Sequence, residues 1–297
     1  MKKKYIITAS SLLLLGALIF GGMMTMLKWN FKSLSTNKYE TNVHEITEEF
    51  TDVTLIGDTA NVTFVPAADN KTTVTCHEET YAKHAVAVKD GMLTVELQNE
   101  KKWYHYLSIG SAKAKITVAL PLKEYGALQI AVKTGDVLIP ESVSFTSTAV
   151  KTTTGNITLQ GVSTGELKLA VSTGKVMLER VSSGDTKITV STGNAHLTEC
   201  KLQSLTTNGK TGDITMENVI VDGLLAVERS TGDVRFTACD AGTVSITTDT
   251  GNVTGSFLSD KIVYATTDTG KVDVPRSTEG GSCEIKTDTG NIKITVN

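Results

Sequence analysis

Ser172-Thr173-Gly174-Lys175 is one copy of a Thr-Gly unit that recurs along the chain from about residue 130 onward. The glycines fall at Gly135, Gly155, Gly174, Gly193, Gly212, Gly232, Gly251, Gly270 and Gly290, at intervals of 19 or 20 residues. Threonine precedes every one, from Thr134 to Thr289. The next residue is always Asp, Asn or Lys: Asp136, Asn156, Lys175, Asn194, Asp213, Asp233, Asn252, Lys271 and Asn291. A fixed period of this length marks a structural repeat whose units bury their faces against one another.

Aligned on the glycine, apolar residues lie two and four positions after it (Ile157/Leu159, Val176/Leu178, Ile214/Met216) and three, five and seven before it (Leu167/Leu169/Val171). The period is two on both sides, so each repeat holds two short strands with one face buried. Two architectures accommodate this: a parallel solenoid with one coil per repeat, or an antiparallel run of about eighteen strands. The solenoid explains why one residue type returns at one phase, because equivalent residues of successive coils stack at about 4.8 Å. A meander would leave a sheet far beyond the roughly ten strands at which sheets close or split. The predicted fold is all-β: a parallel β-solenoid of 19–20 residues per coil, about 40 Å long for nine coils. Glycine is expected at the Thr-Gly corner because the chain needs positive φ there, with Asn or Asp bonding the local backbone. A second, looser corner is expected around Thr164-Gly165, Ser183-Gly184, Asp222-Gly223, Ala241-Gly242 and Gly280-Gly281.

Upstream, Lys2, Lys3 and Lys4 precede an uncharged run from Tyr5 to Leu27. As a helix it reaches roughly 34 Å, enough to cross a hydrocarbon core of about 30 Å. The lysines place its start in the cytoplasm and the rest of the chain outside, as a single-pass cell-membrane protein. A cleaved signal peptide is the competing reading, but the run is long for one and no A-x-A site follows. Residues 1–27 are thus read as cytoplasmic N-terminus and transmembrane anchor, 28–43 as a juxtamembrane stalk, and 44–297 as one extracytoplasmic solenoid. Within the last, 44–125 supply irregular first coils and 126–297 the regular repeats. The C-terminal strand Asn291 to Asn297 reads as an uncapped last coil, an edge that could pair with another molecule.

A net charge of −3 offers no clustered basic footprint for nucleic acid, and that partner class is set aside. Cys200, Cys239 and Cys283 fall on core phases and read as buried free thiols; Cys76 lies outside the regular part and stays undecided. His77 and His84, near Cys76, have no recognised zinc spacing. No phosphate loop, dinucleotide fingerprint or Gly-x-Ser-x-Gly occurs, and no cofactor is expected. Two features break the repeat. Trp103, Tyr104 and Tyr106 concentrate aromatic area in a chain with 5% aromatics, as a contact loop or as a plug for the first coil. Asp249, Asp268 and Asp288 recur in Thr-Asp-Thr-Gly of the last three repeats, either a column that could ligate Ca²⁺ or solvated corner residues.

Lys115-Ile-Thr-Val-Ala-Leu-Pro121, then Leu128-Gln-Ile-Ala-Val-Lys-Thr-Gly-Asp-Val137 and the repeated Thr-Gly-Asn/Asp units, resemble the bacterial putative-adhesin domain family of unknown function. The similarity covers roughly residues 44 to 297, and the N-terminal anchor fits its LiaG-like members, which are associated with envelope stress in Gram-positive bacteria. The resemblance implies adhesion and brings no catalytic residues. The chain is therefore expected to be a non-catalytic envelope protein acting by contact, as an adhesin or a stress-associated scaffold, held to the membrane by its helix and meeting an envelope protein or wall polysaccharide through the rod. A β-helical enzyme or lectin acting on wall polysaccharide is the alternative. A groove lined by carboxylates or aromatics would favour the alternative, and a Thr/Lys face the contact protein.

Overall fold

The computed structural model describes residues 2–29, 38–100, 114–141 and 143–297. Helix α1 (Lys2–Met26) carries the N-terminal apolar run and is long and apolar enough to cross a membrane. The strands then begin with β1 (Tyr39–Ile46), β2 (Asp52–Pro66), β3 (Thr72–Glu79), β4 (Ala82–Lys89), β5 (Met92–Asn99) and β6 (Ala114–Leu120). The repeats follow as a long strand ending in Thr and a short strand after the glycine. They run β7 (Glu124–Thr134) and β8 (Val137–Ile139), β9 (Ser144–Thr154) and β10 (Ile157–Gln160), β11 (Ser163–Thr173) and β12 (Val176–Glu179). Next come β13 (Ser182–Thr192) and β14 (Ala195–Thr198), β15 (Lys201–Thr211) and β16 (Ile214–Glu217), and β17 (Ile220–Thr231). In β18 (Val234–Thr250) a short strand runs on into the next long one, before β19 (Val253–Phe257), β20 (Lys261–Thr269), β21 (Val272–Asp273), β22 (Gly281–Thr289) and β23 (Ile292–Val296).

Long strands pair with long and short with short, in parallel and at equal phase. Leu169 lies between Val150 and Ile188, and Leu159 between Ile139 and Leu178. The predicted parallel solenoid is therefore the fold, and its inward columns (Leu167, Leu169 and Val171 facing Ile157 and Leu159) are buried.

The Thr-Gly corner needs glycine for two reasons. At Gly174 φ is 146° and at Gly193 it is 135°, a region nearly closed to L-residues. A Cβ on Gly193 would also sit 1.7 Å from the Gly174 carbonyl oxygen, because successive glycines stack directly. Each corner is tied to the next by main-chain bonds such as Gly155 N–H to Thr173 O at 3.0 Å. The Asn or Asp after the glycine bonds the neighbouring coil and not its own turn. Asp136 Oδ1 accepts from Asn156 N at 2.8 Å, Asn156 Oδ1 from Lys175 N at 3.0 Å, and Asn194 Oδ1 from Asp213 N at 3.1 Å. Lys175 carries no oxygen and interrupts this ladder. Lys175→Asn is expected to complete it and raise the unfolding free energy by about 0.5–1 kcal/mol; an unchanged or lower thermal midpoint would contradict this role.

The second corner lies elsewhere than expected. It falls six residues after the repeat glycine, where Gly161, Arg180, Glu199, Asn218 and Ala238 have φ between 50° and 60°. Left-handed helical φ costs an L-residue only about 1–2 kcal/mol, so one glycine among five positions suffices. Gly165 and Gly184 are instead sites of close approach within long strands: a Cβ on Gly184 would lie 2.3 Å from the Gly165 oxygen.

Both ends depart from chain order. At the first, β2 is inserted between β5/β6 on one side and β7/β8 on the other. The outer coil β5/β6 is covered by antiparallel strands, β4 on β5 and β3 on β6, with β1 on β3. At the other end, β22/β23 slots between β18/β19 and β20/β21. The C-terminal strand is thus held on both sides over its first residues, which corrects the expectation of an uncapped last coil there; the outermost coil is β20/β21. The hydrogen-bond ladder follows the spatial order: Asn252 Oδ1 accepts from Asn291 N, and Asn291 Oδ1 from Lys271 N, both at 2.9 Å. Lys271 is the last rung, where no further N–H waits for an acceptor.

Candidate functional site

The outward face of the long-strand sheet carries a groove of about 440 Å³ over β2, β7, β9, β11 and β13. Strand alternation places its lining. Residues four and six before each glycine point out, giving Ala131, Lys151, Ala170 and Thr189 in one column and Gln129, Ala149, Lys168 and Lys187 in the next. Alanine beside lysine leaves a shallow apolar floor, with Ile56 on it 44% exposed and ammonium groups at the rim. Lys168 pairs with Glu166 at 2.6 Å, whereas Lys151 and Lys187 have no carboxylate partner among the described residues. Among the described residues, no carboxylate, imidazole, thiol or aromatic ring lines this groove. Toward the far end the same outward face turns acidic.

That acidic end contains the predicted aspartate column. All three side chains are exposed, and their spatial order is Asp249, Asp288, Asp268, since β22 lies between β18 and β20. Lys286 approaches Asp288 at 3.8 Å. Trp103, Tyr104 and Tyr106 lie outside the described residues, in the connection from β5 to β6.

A different cluster escaped sequence reasoning. Cys76 and Glu78 alternate onto the inner face of β3, and His84 projects inward from β4. Among the described residues this is the one group of three potential metal ligands whose donor atoms lie within 4.8 Å of one another, and all three side chains are buried. Glu78 accepts from His84 N at 2.7 Å, His84 Nδ1 at 2.6 Å and Asn42 Nδ2 at 2.8 Å. His84 Nε2 is buried without a partner. Burial, with the Glu78 charge second, pushes the Cys76 thiol up to about 12. His77, by contrast, turns outward and stacks on Tyr39, with rings 5.6 Å apart. The signal for the cluster was the two-residue spacing of Cys76 and Glu78, which puts both on one strand face; that His84 would meet them depended on the β3–β4 turn. The other thiols, Cys200, Cys239 and Cys283, are free and buried as expected.

Another polar group is enclosed in the rod. Arg229 is 1% exposed and reaches inward across Gly209, where a Cβ would fall 1.8 Å from its Nη1. Nη1 donates to Val190 O at 2.9 Å, while Nε and Nη2 have no partner. Burial lowers its pKa from the usual arginine range, against the opposing charge of Asp213.

A parallel β-solenoid of 19–20 residues per coil, preceded by one N-terminal apolar helix, places the chain among solenoid repeat proteins. Among these, the chain belongs to the Toastrack DUF4097 family, whose model matches residues 50–295. No curated protein matches the chain. Among solved structures, a putative adhesin from Bacteroides fragilis is 16% identical, with 86% of this chain and 97% of that one covered and a TM-score of 0.34. A putative adhesin from Parabacteroides merdae is 15% identical, covering 89% and 98%, with a TM-score of 0.37. A putative lipid binding protein from Parabacteroides distasonis is 13% identical, covering 89% and 98%, with a TM-score of 0.32.

Proposed function

We propose that the protein is a non-catalytic, membrane-anchored rod of the cell envelope that acts by contact outside the cytoplasm, and that its lysine-lined groove receives an anionic wall polysaccharide. The observation that carries this reading is the groove lining. Alanine, threonine and lysine provide a flat floor and positive charge, and among the described residues the lining holds no carboxylate, imidazole or thiol from which the acid and base pair of glycoside hydrolysis could be built. Aromatic platforms, the efficient anchors for uncharged sugars, are also missing from that groove, so charge is the source of attraction. The three lysines at the start and the apolar helix after them support anchoring with the rod outside.

The test uses the full chain in detergent, co-sedimented with isolated cell walls. Reversing Lys151, Lys168 and Lys187 to Glu together is expected to cut retention tenfold or more, and added salt to weaken wild-type retention through screening. Equal retention of wild type and variant would remove the groove as the contact surface. Release of soluble sugar fragments from the walls by the wild type would overturn the non-catalytic reading in favour of a wall-acting enzyme.

A further inference from the structure

We propose that Cys76, Glu78 and His84 form a binding site for a thiophilic divalent cation, with Zn²⁺ as the reference ion, at the β3–β4 end cap of the solenoid. Thiolate, imidazole and carboxylate together form a donor set suited to zinc, with water as the fourth ligand of a tetrahedral ion. The three donor atoms lie within 4.8 Å of one another inside the cap, so one ion reaches all of them with little movement of the chain.

What separates this cluster from ordinary core packing is the imidazole beside the thiol. His84 is 4% exposed, its Nδ1 is held by Glu78, and its Nε2 has no partner. A buried polar atom left this way costs free energy unless something occupies it.

The fold gives the ion a task. β3 continues the short-strand face and β4 the long-strand face of the cap. The two strands are paired directly only at Glu79 and Ala82. A cation held by Cys76 and Glu78 of one face and His84 of the other staples the two sheets where main-chain bonding is thinnest. Glu78 extends the staple to β1 through Asn42. Binding converts the Cys76 thiol to thiolate with release of its proton to water.

The experiment titrates chelator-stripped full-length protein in detergent with Co²⁺ as a spectroscopic probe and then with Zn²⁺. The expected result is one equivalent bound, a thiolate-to-cobalt charge-transfer band, its loss on Zn²⁺ addition, and a thermal midpoint that rises with Zn²⁺ and falls back with chelator. Cys76→Ser and His84→Gln should lose the band, while Cys239→Ser should keep it. Absence of both the band and the Zn²⁺-dependent stabilisation in the wild type would overturn the proposal without reference to any variant. So would a band that survives Cys76→Ser or disappears with Cys239→Ser. The groove variant Lys151→Glu/Lys168→Glu/Lys187→Glu should bind Co²⁺ normally, so this inference and the proposed contact function fail independently.

Discussion

Gly193→Ala is expected to lower the thermal midpoint of the full chain by roughly 6–12 °C. The estimate combines two penalties. Alanine at φ 135° occupies a region populated almost only by glycine, at a cost of order 1–3 kcal/mol. Its Cβ would also lie 1.7 Å from the Gly174 carbonyl oxygen, so the two coils must separate at a corner where Gly174 N donates to Thr192 O and Gly193 N to Thr211 O. A total near 3 kcal/mol, at about 2–4 °C per kcal/mol for a domain of this size, gives the stated shift. Thr192→Ala, one residue earlier with an exposed side chain, should change stability by no more than about 0.5 kcal/mol. If thermal unfolding followed by circular dichroism gave the two variants the same midpoint, the stacked-glycine account of the corner would be wrong.

Arg229→Met is expected to act in the opposite direction, raising the unfolding free energy by about 1–4 kcal/mol. The guanidinium is enclosed in an inward column between Gly209 and Thr248, with Val190 and Val171 farther along it, and has one hydrogen bond and two unpartnered nitrogens. Its lowered pKa has burial as the leading cause. A base with folded pKa below its unfolded value weakens the fold throughout the range where both states are protonated, and neutral pH lies inside that range. Methionine has similar length, no charge and enough flexibility to fill the space over Gly209. Chemical denaturation at neutral pH reads the change directly. A clear loss of stability would show that Arg229 holds the rod together through its bond to Val190 or through the field of Asp213.

These contrasts also show why some parts of the molecule were legible in the sequence and others were not. Gly174 and Gly193 announce their corner because φ and the stacked carbonyl together exclude every other residue. The second corner at Arg180, Glu199, Asn218 and Ala238 leaves almost no trace, because a left-handed φ near 50° is tolerated by many side chains. The core phases of Leu167, Leu169 and Val171 were readable from strand alternation, and so was the burial of Cys200, Cys239 and Cys283. The lysine-lined groove was half visible: strand alternation points Lys168 and Lys187 away from the buried Leu169 and Ile188, but the alanine floor between them needed the lateral register of five strands. Cys76, Glu78 and His84 were visible only as separate residues, since their meeting depends on a turn that carries β4 to the opposite face.

The sequence by itself therefore determined the coil, its period, its Thr-Gly corner and its inward columns, because those follow from local φ preferences and a two-residue alternation repeated at one phase. Tertiary structure alone decided the order in which coils stack at the two ends. A parallel rung accepts any coil of matching phase, so the repeat cannot say whether β22 follows β20 or slips between it and β18. The ladder follows that spatial order, with Asn252 Oδ1 accepting from Asn291 N and Asn291 Oδ1 from Lys271 N, so Lys271 stands on the outermost coil, where no acceptor is needed.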